Sequence, residues 1–194
     1  MEDASGTALR ARVPAGSRRI LVAATSPPST VELFRGGGIA EEAFAVTFVS
    51  GAEERATPLP TRDSWDGFFD AILFPRVFEH LEDPSEALVR VRPWLAPEGR
   101  VIASIENAGS AAVVGGLLAG RFEGGLTGIP RRLFTRKTVE DLFEACDYEI
   151  ASIDAVPAEL SADEGALVEK LRSLPGASPD LEASAFLIVA RAGG

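Results

Sequence analysis

The amino-acid sequence predicts an α/β fold that is doubly wound on a mostly parallel sheet of six to seven strands. Short apolar runs of the kind buried on both faces of a parallel sheet recur along the chain. Helical segments with one apolar face separate most of these runs. The stretch from Trp65 to Asn107 holds a complete strand, helix and second strand, which is the size of a parallel crossover unit. Together these features are typical of a Rossmann-like sheet.

The composition predicts a single domain and argues against several classes of binding partner. With 194 residues, 46% of them hydrophobic, the chain can build one sizeable core, and we expect a single domain over residues 19–194. Residues 1–18 are polar and aperiodic, so we expect a disordered or loosely packed leader. The formal net charge of −10 argues against nucleic acid as a partner. No apolar run resembles a secretory signal or spans a bilayer, so we expect a cytoplasmic protein with no membrane partner. Because Cys146 is the only cysteine, neither a disulfide nor a metal site is expected.

The first elements in the chain are two apolar strands. Ile20–Ala24 forms the first and Phe44–Val49 the second, with a short helix near Thr30–Arg35 between them. A polar loop follows, in which only Ala56–Leu59 can pair at a sheet edge. The chain before the next strand is too short for two full crossovers, so one of the usual helices is shortened or missing.

The central unit has the clearest boundaries. Phe69–Pro75 and Arg100–Ile105 are its strands. Asp83 caps the helix between them, Pro84 suits its first position, and Glu86 completes a capping box.

The remaining elements follow from prolines, caps and periodicity. Pro93 ends the central helix, and Pro97-Glu98-Gly99 turns the chain into the second strand. The later elements are a small-residue helix in GSAAVVGGLLAGR, a helix capped by Thr135, a strand over Tyr148–Ile153, a helix over Asp163–Leu174 and a strand over Ala185–Ala190. The predicted core residues are Phe69, Ile72, Leu88, Val101, Ile105, Leu142 and Phe143.

Two segments carry a family resemblance. The run FDAILFPRVFEHLEDPSEAL, followed by LAPEGRVIASIEN, resembles the fourth strand, helix and fifth strand of class I S-adenosylmethionine (SAM)-dependent methyltransferases. The resemblance extends from about Pro58 to the C-terminus. It implies the strand order 3-2-1-4-5-7-6 with the last strand antiparallel, SAM as cofactor, and methyl transfer to a small-molecule acceptor. A second segment, LLAGRFEGGLTGIPRRLFTRKTVEDLF, resembles one subgroup of this family, similar to the methyltransferases of types 11, 12 and 23. This subgroup is associated with glycosyltransferases and surface sugars, so the resemblance implies a sugar acceptor.

The cofactor motif departs from this family. A SAM site in this fold needs a glycine-rich turn after the first strand, so that backbone N–H groups can approach the cofactor, and usually an acid after the second. Here the first turn reads ILVAATSPPST, without glycine and with two prolines that donate no N–H. The second strand ends in Val49-Ser50, and the nearest acids are Glu53 and Glu54. Either the chain has an unusual SAM pocket, or the turn is an ordinary strand-to-helix connection that binds nothing.

The candidate site residues follow from the resemblance. It places the cofactor at the carboxyl ends of the first and fourth strands. The candidate cofactor contacts are Ala23, Ala24, Thr25, Ser26, Ser50, Glu53, Phe74 and Pro75, and the candidate substrate contacts are Arg76, Asn107 and Arg132.

His80 is the only histidine and therefore the only candidate imidazole base. Alternatively, His80 and Glu79 fix the start of the helix by hydrogen bonds. Arg76 either meets an anionic group or pairs with Asp70 or Glu79.

A basic cluster and the degenerate motif leave two functions open. Arg131, Arg132, Arg136 and Lys137 form either a solvated face or a patch for an acidic partner. The first function is a SAM-dependent methyltransferase acting on a small-molecule acceptor. The second is a catalytically inactive methyltransferase-fold module that binds or scaffolds a protein partner.

Overall fold

The computed structural model of the protein describes residues 4–24, 40–47, 65–122 and 130–193. The strands are β1 (Arg19–Ala24), β2 (Glu42–Thr47), β3 (Phe69–Pro75), β4 (Leu95–Glu106), β5 (Tyr148–Pro157) and β6 (Ala183–Ala192). The helices are α1 (Ala4–Arg10), α2 (Pro84–Val91), α3 (Ala111–Leu118), α4 (Arg136–Ala145) and α5 (Ala162–Arg172). Short 3-10 turns cover Phe78–His80 and Arg92–Trp94.

The six strands form one sheet in the order β2-β1-β3-β4-β6-β5. β1 pairs in parallel with β2 and β3, and β3 pairs in parallel with β4. β6 lies antiparallel between β4 and β5. This confirms the predicted α/β class, the central pairing of the first and fourth family strands, and the antiparallel last strand. The predicted helix near Thr30–Arg35 and the predicted edge pairing of Ala56–Leu59 lie outside the described residues.

β4 begins earlier than the sequence predicts. It starts at Leu95 and includes Pro97-Glu98-Gly99, which the sequence predicts as a turn before the strand. The pairing of β3 with β4 shifts register between Phe69 and Ala71, so this segment is an irregularity inside the strand. A Cβ on Gly99 would lie 2.7 Å from the Phe69 carbonyl oxygen, so the close approach of the two strands here requires glycine.

The predicted role of Asp83 as the N-cap of α2 is confirmed. The Asp83 carboxylate accepts hydrogen bonds from the backbone N–H groups of Ser85 (2.9 Å) and Glu86 (3.2 Å), and Pro84 occupies the first turn. The helix ends at Val91, and Pro93 lies in the 3-10 turn that follows. α2 therefore returns the chain to the start of β4.

The core fills both faces of the sheet. On one face, α2 and α4 pack over β1, β3, β4 and β6, while on the other a smaller cluster surrounds Leu9 of α1. Of the predicted core residues, six are buried, namely Phe69, Ile72, Leu88, Val101, Ile105 and Phe143. The prediction for Leu142 was wrong, because this side chain is only partly buried against the larger cluster.

The N-terminal segment differs from the expected leader. Residues Ala4–Arg10 form a helix, and Leu9 is fully buried with Ile20 and Val22 of β1 and Leu73 of β3. A helix that buries a leucine against the sheet is part of the core, so the structure corrects the expectation of a disordered or loosely packed segment for these residues. Within the part of the chain that the structure describes, none of the helices combines the length and apolar character needed to cross a bilayer.

Candidate functional site

Parallel strands bring three strand ends to one edge of the sheet. β1, β3 and β4 end at Ala24, Pro75 and Glu106. β1 lies between β2 and β3, so the strand order reverses between β1 and β3. Open α/β sheets bind ligands in the crevice outside the carboxyl ends of the strands at such a switch point.

Arg76 follows β3 in a backbone conformation that few residues other than glycine adopt. Its φ of 51° lies in the left-handed region, and its N–H donates to the Ser104 carbonyl oxygen of β4 at 3.0 Å. Its guanidinium forms an ion pair with the Glu106 carboxylate at 3.2 Å, with both side chains mostly buried. Of the two partners considered from sequence, Asp70 instead accepts hydrogen bonds from the backbone N–H groups of Arg18 and Arg19.

Glu79 also lies at this edge of the sheet, although the sequence predicts only a structural role for it. Glu79 is 2% exposed, and its Oε1 accepts a hydrogen bond from the backbone N–H of Glu106. Its backbone carbonyl accepts from the N–H groups of Arg131 (2.8 Å) and Arg132 (3.1 Å), which holds the segment before α4 against the turn. Its Oε2 is buried and has no hydrogen-bond partner among the described residues.

Burial also changes the acidity of Glu79. Desolvation raises the pKa of Glu79 to about 7, and the neighbouring Glu106 carboxylate adds to the rise. The backbone N–H groups of Glu106 and of Glu79 itself, and the positive charge of Arg76, lower the pKa and so act in the opposite direction. A carboxyl that titrates near neutrality can hold or release a proton under ordinary conditions.

A small cavity of about 60 Å³ opens beside this carboxyl. Its walls come from the end of β4, from α3 and from the segment before α4. The lining residues are Glu79, Glu106, Asn107, Ala108, Val113, Phe122, Pro130, Arg132, Leu133 and Phe134. Polar groups at the β4 end therefore face apolar side chains across a confined space.

The other polar candidates have structural partners. Asn107 is buried, its amide donates to the carbonyls of Asp180 (2.8 Å) and Ala183 (2.9 Å), and its Oδ1 accepts from the Gly109 N–H. The Arg132 guanidinium donates to the Glu82 carbonyl, with an Nε–O distance of 3.1 Å. Both residues line the cavity, and their hydrogen bonds hold neighbouring loop segments in place.

His80 ends the 3-10 turn after β3, and its backbone N–H donates to the Val77 carbonyl at 3.0 Å. It is partly exposed, next in sequence to the buried Glu79. Its candidate role as a base stays a prediction.

Two of the candidate cofactor contacts have core side chains. Ala23 is fully buried, and Phe74 is fully buried with its ring stacked on Phe78 at a centroid distance of 4.7 Å. Pro75 is half-buried at the end of β3, and Ala24 is the last residue of β1. The remaining candidates, Thr25, Ser26, Ser50 and Glu53, lie outside the described residues.

Two of the four residues in the basic cluster, Arg136 and Lys137, form ion pairs with carboxylates. The Arg136 guanidinium forms a two-pronged ion pair with the Asp180 carboxylate, with N–O distances of 2.8 and 2.7 Å, and this hydrogen bonding raises the pKa of Arg136. Lys137 pairs with Asp141 one turn along α4. Within the described residues, no group of three or more His, Cys, Asp or Glu side chains is placed to hold a metal.

A larger groove of about 560 Å³ lies between α3 and α5. Gly115, Gly116 and Phe122 on one side face Ser161 and Leu167 on the other. The groove contacts none of the site residues predicted from sequence, so we centre the candidate site on the strand ends.

The chain has the fold of class I methyltransferases. Residues 13–103, just under half of the chain, match a family model described as "Methyltransferase domain". The match includes β1, β2, β3, α2 and most of β4, and therefore also the first turn, where the sequence resemblance is weakest. No curated protein matches the chain.

Solved structures share the whole architecture at low identity. The chain is similar to Burkholderia thailandensis 1,6-didemethyltoxoflavin-N1-methyltransferase with bound 1,6-didemethyltoxoflavin and S-adenosylhomocysteine. That likeness has 18% identity and a TM-score of 0.60, covering 100% of this chain and 80% of that one. A SAM-dependent methyltransferase from Archaeoglobus fulgidus shares 14% identity with a TM-score of 0.61, covering 98% and 94% of the two chains. One from Mesorhizobium loti shares 17% identity with a TM-score of 0.55, covering 97% and 98%. At these identities the likeness shows the fold alone.

Proposed function

We propose that this protein is a SAM-dependent methyltransferase that acts on a small-molecule acceptor. The match of residues 13–103 to the methyltransferase domain carries the proposal, since it spans the strands that form the crevice between β1 and β3. The neighbour from Burkholderia thailandensis, which has the same fold, holds a small molecule and S-adenosylhomocysteine, the demethylated form of the cofactor.

The described residues at the strand ends fit a cationic cofactor. β1 ends in the sequence Ala23-Ala24 at this crevice. The carboxyl groups of Glu79 and Glu106 outnumber the Arg76 guanidinium beside them, which favours positive charge nearby. When bound, SAM supplies an electrophilic methyl group on a sulfonium.

The residues of this chain would act by positioning. Backbone groups at the ends of β1 and β3 would hold the cofactor, and Pro75 and Arg76 would form the wall between cofactor and acceptor. Holding the nucleophile in line with the methyl carbon accelerates methyl transfer, because the orientation is fixed before the reaction. A sugar hydroxyl is the acceptor that the resemblance of the segment LLAGRFEGGLTGIPRRLFTRKTVEDLF favours, as a subclass of the small-molecule proposal.

A binding module without methyl transfer is the second candidate. The specific observation in its favour is the first turn, ILVAATSPPST, which contains no glycine and has Pro27 and Pro28 where a SAM site uses N–H donors. Each hydrogen bond lost to a charged group weakens binding by about 1.5–3 kcal/mol. SAM affinity should therefore be at least about tenfold poorer than in a relative with a glycine turn.

Calorimetry and thermal unfolding with SAM and S-adenosylhomocysteine test the proposal. We expect saturable binding of both, with an increase in unfolding temperature because the ligand binds only the folded state. Thr25→Trp, which adds bulk to the first turn, should abolish binding, and Ala166→Trp on the exposed face of α5 is the matched control that should retain it. Formation of S-adenosylhomocysteine with a panel of sugars then measures turnover. Absence of any thermal shift at millimolar SAM would reject the methyltransferase in favour of the binding module.

A further inference from the structure

Glu79 has a buried oxygen that the fold does not use. Oε1 holds the end of β4 through the Glu106 N–H, and the backbone carbonyl holds the segment before α4. Oε2 does neither, because it is buried without a hydrogen-bond partner among the described residues. A buried polar atom without a hydrogen-bond partner destabilises a fold by about 1–3 kcal/mol. If Glu79 had only a structural role, a partner for Oε2 would make the protein more stable.

The free oxygen belongs to the residue that lines the small cavity. Glu79 and Glu106 line this space together with the apolar side chains of Val113, Pro130 and Phe134. A volume of about 60 Å³ holds roughly four water-sized groups, since one water needs about 10–15 Å³ by this measure. A hydroxyl or amine with the carbon that bears it fits this space.

We propose that Glu79 binds the methyl acceptor, with Oε2 accepting a hydrogen bond from the acceptor's hydroxyl or amino group and taking its proton during transfer. This inference rests on the proposed methyltransferase function and deepens it. It assigns to Glu79 the role of base that sequence reasoning considered only for His80. It also defines the acceptor class as a neutral or cationic protic group, because a carboxylate or phosphate would meet two carboxyl groups in a confined space.

The charges around Glu79 suit this role. Glu106 at the end of β4 carries the second carboxylate, Arg76 before the turn carries the guanidinium that pairs with it, and Arg132 also lines the cavity. Burial and Glu106 raise the pKa of Glu79 to about 7, so the ionised form is available near neutral pH and is basic enough to hold a proton.

The proposed step balances. A lone pair of the acceptor oxygen or nitrogen forms the bond to the methyl carbon, and the carbon–sulfur bond breaks with its electron pair going to sulfur. A cationic amine has this lone pair only after it gives its proton to Glu79. The acceptor's O–H or N–H bond breaks, and its proton moves to Glu79 Oε2. The products are the methylated acceptor, S-adenosylhomocysteine and protonated Glu79, which then loses the proton to solvent.

Carbon-13 NMR of the glutamate carboxyl groups tests the site without knowledge of the natural acceptor. The probe is ethylamine, a small protic cation, and the control is tetramethylammonium, a cation with no N–H. In the wild-type protein we expect one glutamate signal to titrate near pH 7, to move on addition of ethylamine, and to titrate at lower pH in its presence. Glu79→Gln should remove that signal, and tetramethylammonium should leave it unchanged.

A second variant separates binding from a general charge effect. Glu106→Gln removes the neighbouring carboxylate and leaves Arg76 to act on Glu79, so the titration of Glu79 should move to lower pH. The Glu79→Gln chain keeps an amide oxygen for the Glu106 N–H, and circular dichroism with thermal unfolding confirms that each variant is folded. Equal responses to ethylamine and tetramethylammonium, or an ethylamine response that survives in Glu79→Gln, would overturn the inference.

The outcome is distinguishable from failure of the methyltransferase proposal. SAM binding is measured by calorimetry on the same wild-type protein that is used for the NMR titrations. SAM binding without an ethylamine response at Glu79 rejects the acceptor site alone. An ethylamine response without SAM binding keeps the protic-group site and rejects methyl transfer.

Discussion

Replacing Glu79 with glutamine should change how the stability of the protein depends on pH. The fold raises the pKa of this carboxyl above its ordinary value, so the folded state holds a proton that the unfolded state releases. The protonated Glu79 carboxyl therefore contributes fully to the free energy of unfolding below about pH 4.5, and this contribution is lost as the pH rises through about 7. Glutamine is neutral at every pH and resembles the protonated form, so the variant escapes this loss.

The magnitude follows from the two pKa values. The interval between the ordinary 4.5 and about 7 in the fold, at about 1.36 kcal/mol per pH unit, corresponds to about 3 kcal/mol. At pH 4.5 we expect wild type and Glu79→Gln to have similar free energies of unfolding. Above pH 7 the variant should be more stable than wild type by about 3 kcal/mol.

Urea unfolding at intervals from pH 4.5 to 8 measures this difference. Subtracting the wild-type free energy from that of the variant removes the pH dependence of the other carboxyl groups, which both chains share. Glu86→Gln, at an exposed position on α2, is the matched control and should give a nearly constant difference. A constant difference for Glu79→Gln as well would refute the buried, protonated carboxyl.

Three further predictions concern the fold. Ile72→Ala, at a fully buried position of the central strand β3, should cost about 2–5 kcal/mol in urea unfolding. Leu142→Ala should cost less than about 2 kcal/mol because that side chain is only partly buried, and equal costs would contradict the burial assignment. Leu9→Ala should cost about 2–5 kcal/mol and lower the thermal midpoint, and an unchanged midpoint would show that α1 does not pack on the sheet. Arg136→Met, which leaves the Asp180 carboxylate without its two-pronged partner, should cost about 3 kcal/mol, and a loss below about 1 would show that solvent replaces the guanidinium.

The sheet was predictable because its signals are local. Apolar runs identify the strands, and β3 has the predicted ends. Asp83 and Thr135 cap helices as expected, because a side-chain oxygen placed two or three residues before free N–H groups acts over a short stretch of chain. The strand order came from the resemblance to the methyltransferases, since periodicity identifies strands without saying which of them pair.

The errors arose where long-range contacts decide the outcome. The segment Ala4–Arg10 has no strong helical period, and Leu9 becomes core only because the sheet offers an apolar face that the N-terminal helix covers. Leu142 has the helical spacing of a core residue, yet it lies at the margin of the cluster that buries Phe143. Pairing with Phe69 draws Gly99 into the strand, although its neighbours Pro97 and Glu98 favour a turn.

The chemistry of the site depends on tertiary contacts even more strongly. In sequence Glu79 stands beside the only histidine, and an imidazole attracts attention as a base because its ordinary pKa is near neutral. Folding gives the neighbouring carboxyl that property instead, since the end of β4 buries it and brings a second carboxylate next to it, and one of its oxygens has no hydrogen-bond partner among the described residues. A glutamate in a turn after a strand carries no local sign of such burial. The same turn in a chain whose β4 ended one residue earlier would place no Glu106 N–H on Oε1, and Glu79 would lose the contact that holds its carboxyl at the cavity.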